Sequence, residues 1–256
     1  MKVSVAVPCY EYNGNGVRYL SDLFRTIQNQ TLKDVEVVIS DQSIDDEIMD
    51  FCMDNIFDLD IKYIRNKEGR GNAAINTNVA MDNCKGEVVK LMYMDDFFVL
   101  PTALERTYKY LMATDKMWLA CGTIHTRDDG KTFDTTLIPR WNDNMLKARG
   151  NNTMSGTTVI SYKREGMNVK WDPKTFGLLD IDFYHSMRAK YGDCLIMGEV
   201  HVCQRINPGN IISLSAALSF IRCLSLVTKI LFAFINFLLS FSFIVLIRLS
   251  IFLLFF

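Results

Sequence analysis

The sequence predicts an α/β fold built on a mostly parallel sheet, and three observations lead to this prediction. Short apolar runs of strand length recur through the first half of the chain. Segments with apolar side chains at helical spacing separate these runs, and several of the runs end in polar or acidic residues. Strands that alternate with helices in this way form parallel sheets whose crossover helices cover the faces.

The first half contains the more regular elements. Strands are predicted at residues 3–8, 35–40, 61–64 and 88–93. Helices are predicted at residues 17–29, 45–55, 72–81 and 102–111. In the first helix, Val17, Leu20, Leu23, Phe24 and Ile27 share one face, which is the spacing of an amphipathic helix.

The second half has a weaker pattern. A strand is predicted at 118–124, a polar loop at 125–139, a short helix at 140–148, a short strand at 157–161 and a helix at 180–191. The two halves lack a linker between them, so we expect one fused domain over residues 1–210, with halves at 1–112 and 113–210.

Charge and cysteine content exclude some functions. The 256 residues have a formal net charge of -1, which provides no basic face for nucleic acid. The seven cysteines are scattered without a CxxC pair, which argues against a zinc site or a disulfide framework and fits a reducing compartment. Met1 and Lys2 lead directly into the first strand, so no signal peptide is expected.

The carboxyl ends of the predicted strands have polar residues: Tyr10 and Glu11, Asp41, and the adjacent pair Asp95 and Asp96. Ligands of open parallel sheets bind beyond these ends, and a parallel sheet would bring the three sets to one edge. Two adjacent carboxylates repel each other, and a bound cation would compensate that repulsion. The alternative for the pair is a solvated acidic turn.

Five segments in this order resemble a family 2 glycosyltransferase of the GT-A fold, over residues 3 to about 213. The segments lie at 5–11, 37–45, 66–86, 94–96 and 171–182. The resemblance implies a three-layer α/β/α sandwich and an inverting transfer of a sugar from a nucleotide-diphosphate donor, expected to be a UDP-sugar. The acceptor would be a hydroxyl of a glycan or a lipid. The halves 1–112 and 113–210 would then bind the nucleotide and the acceptor.

The same resemblance implies roles for the donor-site residues. Asp96 would contact Mn²⁺ or Mg²⁺, both of which prefer oxygen ligands, and Asp95 would contact the ribose or the waters of the metal. Asp41 would accept a hydrogen bond from the base, although a turn or capping aspartate is the ordinary alternative. The base and ribose would be lined by Pro8, Tyr10 and Glu11.

Asp180 is the expected general base for the acceptor hydroxyl, with Asp182 as the competing candidate. The family usually has Glu-Asp here, whereas this chain has Leu179-Asp180. Acids in the first turn of a helix are also common because the helix dipole favours them. Many members have a metal-binding histidine after the acceptor half; the similar position here falls near Arg205, and no histidine occupies it.

Residues 211–256 form an apolar tail. They contain no acidic residue, and residues 230–247 are an uncharged stretch of eighteen. This is just long enough to cross a bilayer, which takes roughly 17–25 apolar residues. An interfacial helix and a re-entrant hairpin are the alternatives. Arg222 and Lys229 on the domain side of the stretch favour a cytoplasmic catalytic domain, and a membrane-held site makes a lipid-linked acceptor plausible.

Three other functions compete with this interpretation. A degenerate domain would bind a nucleotide sugar without turnover, and the replaced glutamate and absent histidine favour it. A nucleotidyltransferase would need a basic, glycine-rich phosphate loop, whereas the first strand here is followed by Cys9-Tyr10-Glu11. A dinucleotide-binding oxidoreductase needs GxGxxG, and Asn13-Gly14-Asn15-Gly16 lacks the third glycine.

Overall fold

The computed structural model of the chain describes residues 1–11, 13–144, 152–175 and 178–206. These residues belong to one compact unit, Met1–Ile206. The predicted tail at 211–256 and the last predicted domain residues, 207–210, lie outside the described part. Within the described ranges, no helix has both the length and the apolar character needed to cross a bilayer.

The first half follows the predicted alternation of strands and helices. Its elements are β1 (Val3–Cys9), α1 (Gly16–Gln28), β2 (Val35–Asp41), α2 (Glu47–Asp54), β3 (Asp60–Arg65), α3 (Ala73–Asp82) and β4 (Val88–Leu91). Every residue of β1 is buried, as expected for a strand covered on both faces. The Asn72 side chain accepts a hydrogen bond from the Ile75 N–H and caps α3 at the predicted start.

The rest of the described chain, from Phe97 onward, has more strands than the sequence predicts. Its elements are β5 (Phe97–Phe98), α4 (Ala103–Met112), β6 (Trp118–Thr126), β7 (Thr136–Leu137), β8 (Ile160–Lys163), α5 (Leu179–Tyr191) and β9 (Leu195–Arg205). The eleven-residue β9 was missed because its buried positions include polar side chains and its pattern is irregular. Strand periodicity is then hard to see.

Three predictions for this half need correction. The loop predicted at 125–139 contains β7. The strand predicted at 157–161 begins as a 3₁₀ turn, Thr157–Val159, and the strand itself is β8. Residues 140–144 of the helix predicted at 140–148 are not helical, and the rest of that helix lies outside the described residues.

The sheet of the described residues runs in the order β3-β2-β1-β4-β8-β6-β9-β5, with β7 beside β6. Strands β1 to β4 are parallel neighbours, as predicted. However, β8 is antiparallel to both β4 and β6, so the whole sheet is mixed, although β6 and β9 are again parallel neighbours.

Aromatic packing fixes α5 against the segment before it. The rings of Trp171 and Phe183 stack with their centroids 4.0 Å apart. The Asn78 side chain donates to the Trp171 carbonyl and accepts from the Trp171 N–H, both at 2.9 Å, which joins this segment to α3. The start of α5 is therefore tied to the first half of the domain.

Candidate active site

The carboxyl ends of β1, β2 and β4 meet at one edge of the sheet, as predicted. Cys9 pairs with Asp41 across β1 and β2, and Ala6 pairs with Leu91 across β1 and β4. Strand β4 ends before Asp95 and Asp96, which lie on a turn closed by the Asp96 N–H donating to the Tyr93 carbonyl at 3.1 Å. The tips of three parallel strands thus place the predicted donor-site residues together.

Asn76 of α3 holds these strand ends together. Its amide nitrogen donates to the Cys9 carbonyl at 2.8 Å, and its amide oxygen accepts from the Ser40 hydroxyl at 2.6 Å. The same oxygen accepts from the Asn66 side chain at 3.2 Å. Because Asn76 is 2% exposed, it positions the edge from behind and does not line it.

Asp41 lies at this edge but is fully buried. One carboxylate oxygen accepts from the Ser43 N–H at 2.8 Å and from the Ser43 hydroxyl at 2.5 Å. The other accepts from the Tyr63 hydroxyl at 2.7 Å and lies 3.7 Å from the Arg65 guanidinium. Burial and the contact with Asp41 raise the pKa of the Tyr63 phenol.

Glu11 is also buried, and its carboxylate shapes the loop before α1. It accepts from the backbone N–H groups of Asn13 at 2.6 Å and Gly14 at 2.7 Å. The Gly16 N–H at the start of α1 donates to the second oxygen. A carboxylate at a helix N-terminus is favoured by the helix dipole, so Glu11 stabilises this loop.

The two remaining donor-site candidates differ in exposure. Pro8 lies inside β1, buried and in register with Ser40, whereas Tyr10 follows the strand and is half-buried. Tyr10 is therefore better placed than Pro8 to present a ring at the edge.

Asp95 and Asp96 occupy unlike positions. Asp96 is 6% exposed; one of its carboxylate oxygens accepts from the Arg205 N–H at 3.2 Å, and its side chain hydrogen-bonds to Thr158. Asp95 is half-buried. Burial raises the pKa of both carboxyl groups, and the charge of Asp95 raises that of Asp96 further. A positive charge at this turn would therefore stabilise the ionised pair.

Arg205, at the end of β9, is 3% exposed and contacts the Asp95–Asp96 turn. Its guanidinium donates to the Asp95 carbonyl at 2.7 Å and forms ion pairs with Asp22 at 2.6 Å and Asp129 at 3.1 Å. It also lies between the rings of Tyr19 and Phe97, at 4.9 and 4.8 Å. Sequence reasoning missed this role because Asp22 is 183 residues away along the chain.

Asp180 lies in the first turn of α5, near the same edge. Its Oδ2 accepts from the Asn152 amide at 2.5 Å. Burial raises the pKa of its carboxyl group, while hydrogen bonds to the ionised form oppose that rise. The charges of Asp180 and Asp95 both raise the pKa of Tyr93, whose burial is the larger cause, so this phenol is near both carboxylates. Asp182, the competing candidate, is half-buried one half-turn further along α5.

The carboxylates at this sheet edge supply only part of the ligands that a divalent cation needs. Within the described ranges, no group of three or more His, Cys, Asp or Glu side chains could hold a metal ion. The Asp95–Asp96 pair supplies hard oxygen atoms, which Mn²⁺ and Mg²⁺ accept, and such ions commonly complete their coordination with water and substrate phosphates. The pair fits a cation that is bound jointly with a diphosphate.

Solved structures of similar architecture define the class of fold. Staphylococcus aureus TarS 1–349 in complex with UDP-GlcNAc is 16% identical, with a TM-score of 0.65 over 83% of this chain and 61% of that chain. The UDP complex is 17% identical, with a TM-score of 0.63 over 81% and 61%. The mannosyltransferase PcManGT from Pyrobaculum calidifontis, in complex with GDP-Man and Mn²⁺, is 18% identical, with a TM-score of 0.54 over 79% and 56%.

The fold is that of the GT-A glycosyltransferases, as these structures and the sheet topology agree. A family model described as glycosyl transferase family 2 matches residues 4–176. The chain therefore belongs to glycosyl transferase family 2. A search of curated proteins found no match. The chain spans 56–61% of the length of the solved structures named above.

Proposed function

We propose that the protein is an inverting, metal-dependent glycosyltransferase. It moves a sugar from a nucleotide-diphosphate donor, expected to be a UDP-sugar, to a hydroxyl of a glycan or lipid acceptor. One observation supports this most: Asp180 accepts a hydrogen bond from Asn152 and Asp96 one from Thr158, at the two ends of the short turn before β8. In this proposal a metal-suited pair lies beside a separate carboxylate that could serve as a base.

The donor-side roles are those that the family resemblance implies, and burial distinguishes Tyr10 from Glu11 and Pro8. Asp96 would hold the metal, and Asp95 would contact the ribose or the metal's waters. Tyr10 lines the base and ribose, while Glu11 and Pro8 form the wall behind them. Both carboxylate oxygens of Asp41 already accept hydrogen bonds, one of them from the Tyr63 hydroxyl. Asp41 therefore accepts a hydrogen bond from the base only if the Tyr63 hydroxyl moves away.

The acceptor step depends on Asp180. Its carboxylate removes the proton of the acceptor hydroxyl as that oxygen attacks the anomeric carbon from the face opposite the diphosphate. The bond from the anomeric carbon to the diphosphate breaks, and the configuration inverts. A bound divalent cation supplies charge neutralisation for the departing diphosphate. Asp182 is the alternative base.

The tail supports a membrane-associated protein. Its apolar composition and the flanking Arg222 and Lys229 favour an anchor at 211–256 with the domain on the cytoplasmic side. An anchored site would act close to the bilayer surface, which suits a lipid-linked acceptor.

A second candidate function is a degenerate domain that binds a nucleotide sugar without turnover. Two observations favour it: Leu179 stands in place of the family's usual glutamate, and Arg205 is engaged in ion pairs where many members have a metal-binding histidine.

The test uses the full chain in detergent and calorimetric binding of UDP with and without Mn²⁺. Wild type should bind UDP more tightly with Mn²⁺, and Asp96→Ala should lose that dependence. Asp115→Ala, an exposed acid remote from the edge, is the matched control and should behave as wild type. Metal-independent binding in wild type would refute the metal role.

Turnover distinguishes the two candidate functions. UDP-GlcNAc and GDP-mannose are incubated with the protein and Mn²⁺, and release of the nucleoside diphosphate is followed. We expect release from one donor, and a loss of about 10²-fold or more in Asp180→Asn, the lower range for a general base. Tight nucleotide binding with no release from either donor, with or without added glycan or lipid acceptors, would favour the degenerate domain.

A further inference from the structure

The turn before β8 contacts carboxylates on both sides of the candidate site. Near its start, Asn152 donates to Asp180 at 2.5 Å. At its end, Thr158 hydrogen-bonds to Asp96 and accepts from the Gln204 amide at 2.9 Å. No role in the site is predicted from the sequence for Asn152, Thr158 or Gln204.

The amide of Asn152 has only one workable orientation. Its oxygen accepts from the Met154 N–H at 2.9 Å, so its nitrogen must be the atom that faces Asp180. The same nitrogen donates to the Ser155 carbonyl at 2.6 Å. Because an amide carries two hydrogens and both have acceptors here, the side chain is fixed at both ends.

Ser155 holds this arrangement in an unfavourable backbone conformation. Its φ of 71° is left-handed, which is costly for a residue with a β-carbon. Its carbonyl accepts from the buried Tyr184 hydroxyl at 3.0 Å as well as from Asn152, and its hydroxyl donates to Gln204 at 3.1 Å. Such conformations persist when the surroundings determine them and often occur at functional sites.

We propose that Asn152 is a positioning residue, which fixes the Asp180 carboxylate in the orientation that accepts the acceptor's proton. This inference rests on the proposed function, in which Asp180 is the base. Asn152 does not contact the reacting atoms; it acts through its hydrogen bond to Oδ2. The left-handed turn at Ser155 keeps the amide in place.

The environment of Asp180 supports this role. Burial disfavours its ionised form, and the Asn152 amide is the side-chain donor that opposes the effect. Among the described residues, the phenols of Tyr93 beyond β4 and Tyr184 on α5 lie near the carboxylate, and both stay neutral because their pKa values are raised. Without the amide, the Asp180 pKa should therefore rise.

The experiment measures that pKa directly in the full chain, by NMR of protein labelled with ¹³C at the aspartate carboxyl groups. Asp180→Asn assigns the signal. Asn152→Ala should raise the Asp180 pKa by about one unit, the size expected for one hydrogen bond to a charged group. Asn152→Asp keeps the acceptor used by the Met154 N–H and should raise it more, because a like charge replaces the donor. Thr153→Ala, which removes only a neighbouring bond to the Arg140 carbonyl, is the matched control.

The second readout is the pH profile of nucleoside-diphosphate release, measured with Mn²⁺ and whichever of UDP-GlcNAc and GDP-mannose the wild type turns over. Its acid limb should move to higher pH by the same amount as the Asp180 pKa, whereas general damage would lower the rate at every pH. An unchanged Asp180 pKa in both Asn152 variants would overturn the proposal, as would loss of Mn²⁺-dependent UDP binding in either variant. Absence of turnover in wild type would count against the proposed function, while the NMR measurement would still decide the role of Asn152.

Discussion

Replacing Arg205 should destabilise the domain far more than replacing a surface arginine. In Arg205→Met the aliphatic volume is largely kept, but the contacts to Asp22, Asp129 and the Asp95 carbonyl are lost. Breaking a buried ion pair costs about 3–5 kcal/mol of unfolding free energy. Since Asp22 and Asp129 are 30% and 42% exposed and regain water, the low end, about 3 kcal/mol, is expected.

Arg188 provides the matched control. It also pairs with two acids, Asp143 and Asp193, but those side chains are 76% and 65% exposed. Surface pairs contribute about 0–1 kcal/mol each, so Arg188→Met should cost about 1 kcal/mol or less. Both variants remove one arginine charge, so the difference between their losses of unfolding free energy reports the effect of burial at Arg205.

Urea unfolding followed by near-ultraviolet circular dichroism gives the free energies of unfolding. The comparison requires that the slope of free energy against urea concentration is the same for both variants. The melting temperature of Arg205→Met should fall by about 6–12 °C for a domain of this size. Mn²⁺-dependent UDP binding should weaken too, because Arg205 holds the backbone of the Asp95–Asp96 turn. A free-energy loss in Arg205→Met no larger than that in Arg188→Met would refute the reasoning.

Three further predictions concern stability. Glu11→Gln should cost about 2 kcal/mol in urea unfolding, because an amide cannot accept from three backbone N–H groups; an unchanged midpoint would contradict the loop-stabilising role. Tyr63→Phe should cost about 1–3 kcal/mol by leaving an oxygen of buried Asp41 without its donor, and a neutral effect would mean that Arg65 or water replaces the hydroxyl. Burial lowers the pKa of His201 to about 4, whereas its pKa in the unfolded state is about 6.5. The folded state therefore binds this proton only at lower pH than the unfolded state does. The free energy of unfolding should fall by about 3 kcal/mol as the pH drops from about 6.5 to 4. His201→Gln should make the dependence of unfolding free energy on pH shallower in that window, and identical slopes would exclude His201 as a cause.

The candidate site was predictable where it depends on strand ends. Asp41 follows an apolar run, and Asp95 and Asp96 follow another, so a parallel arrangement alone brings them to one edge. Their surroundings were not predictable in the same way. Nothing near Asp41 in the chain indicates that Tyr63 would cover it, because that contact depends on the pairing of β2 with β3.

The amino-acid sequence by itself determined the alternation of β1 to β4 with their helices, since apolar periodicity is local and reports which face of each element is buried. Only the tertiary structure decided that β8 enters the sheet antiparallel, that Arg205 pairs with Asp22, and that Asn152 holds Asp180. The physical reason is the range of the interactions. Burial of an apolar face leaves a repeating signature within one segment, whereas a polar contact joins two side chains from distant segments and leaves no pattern in either.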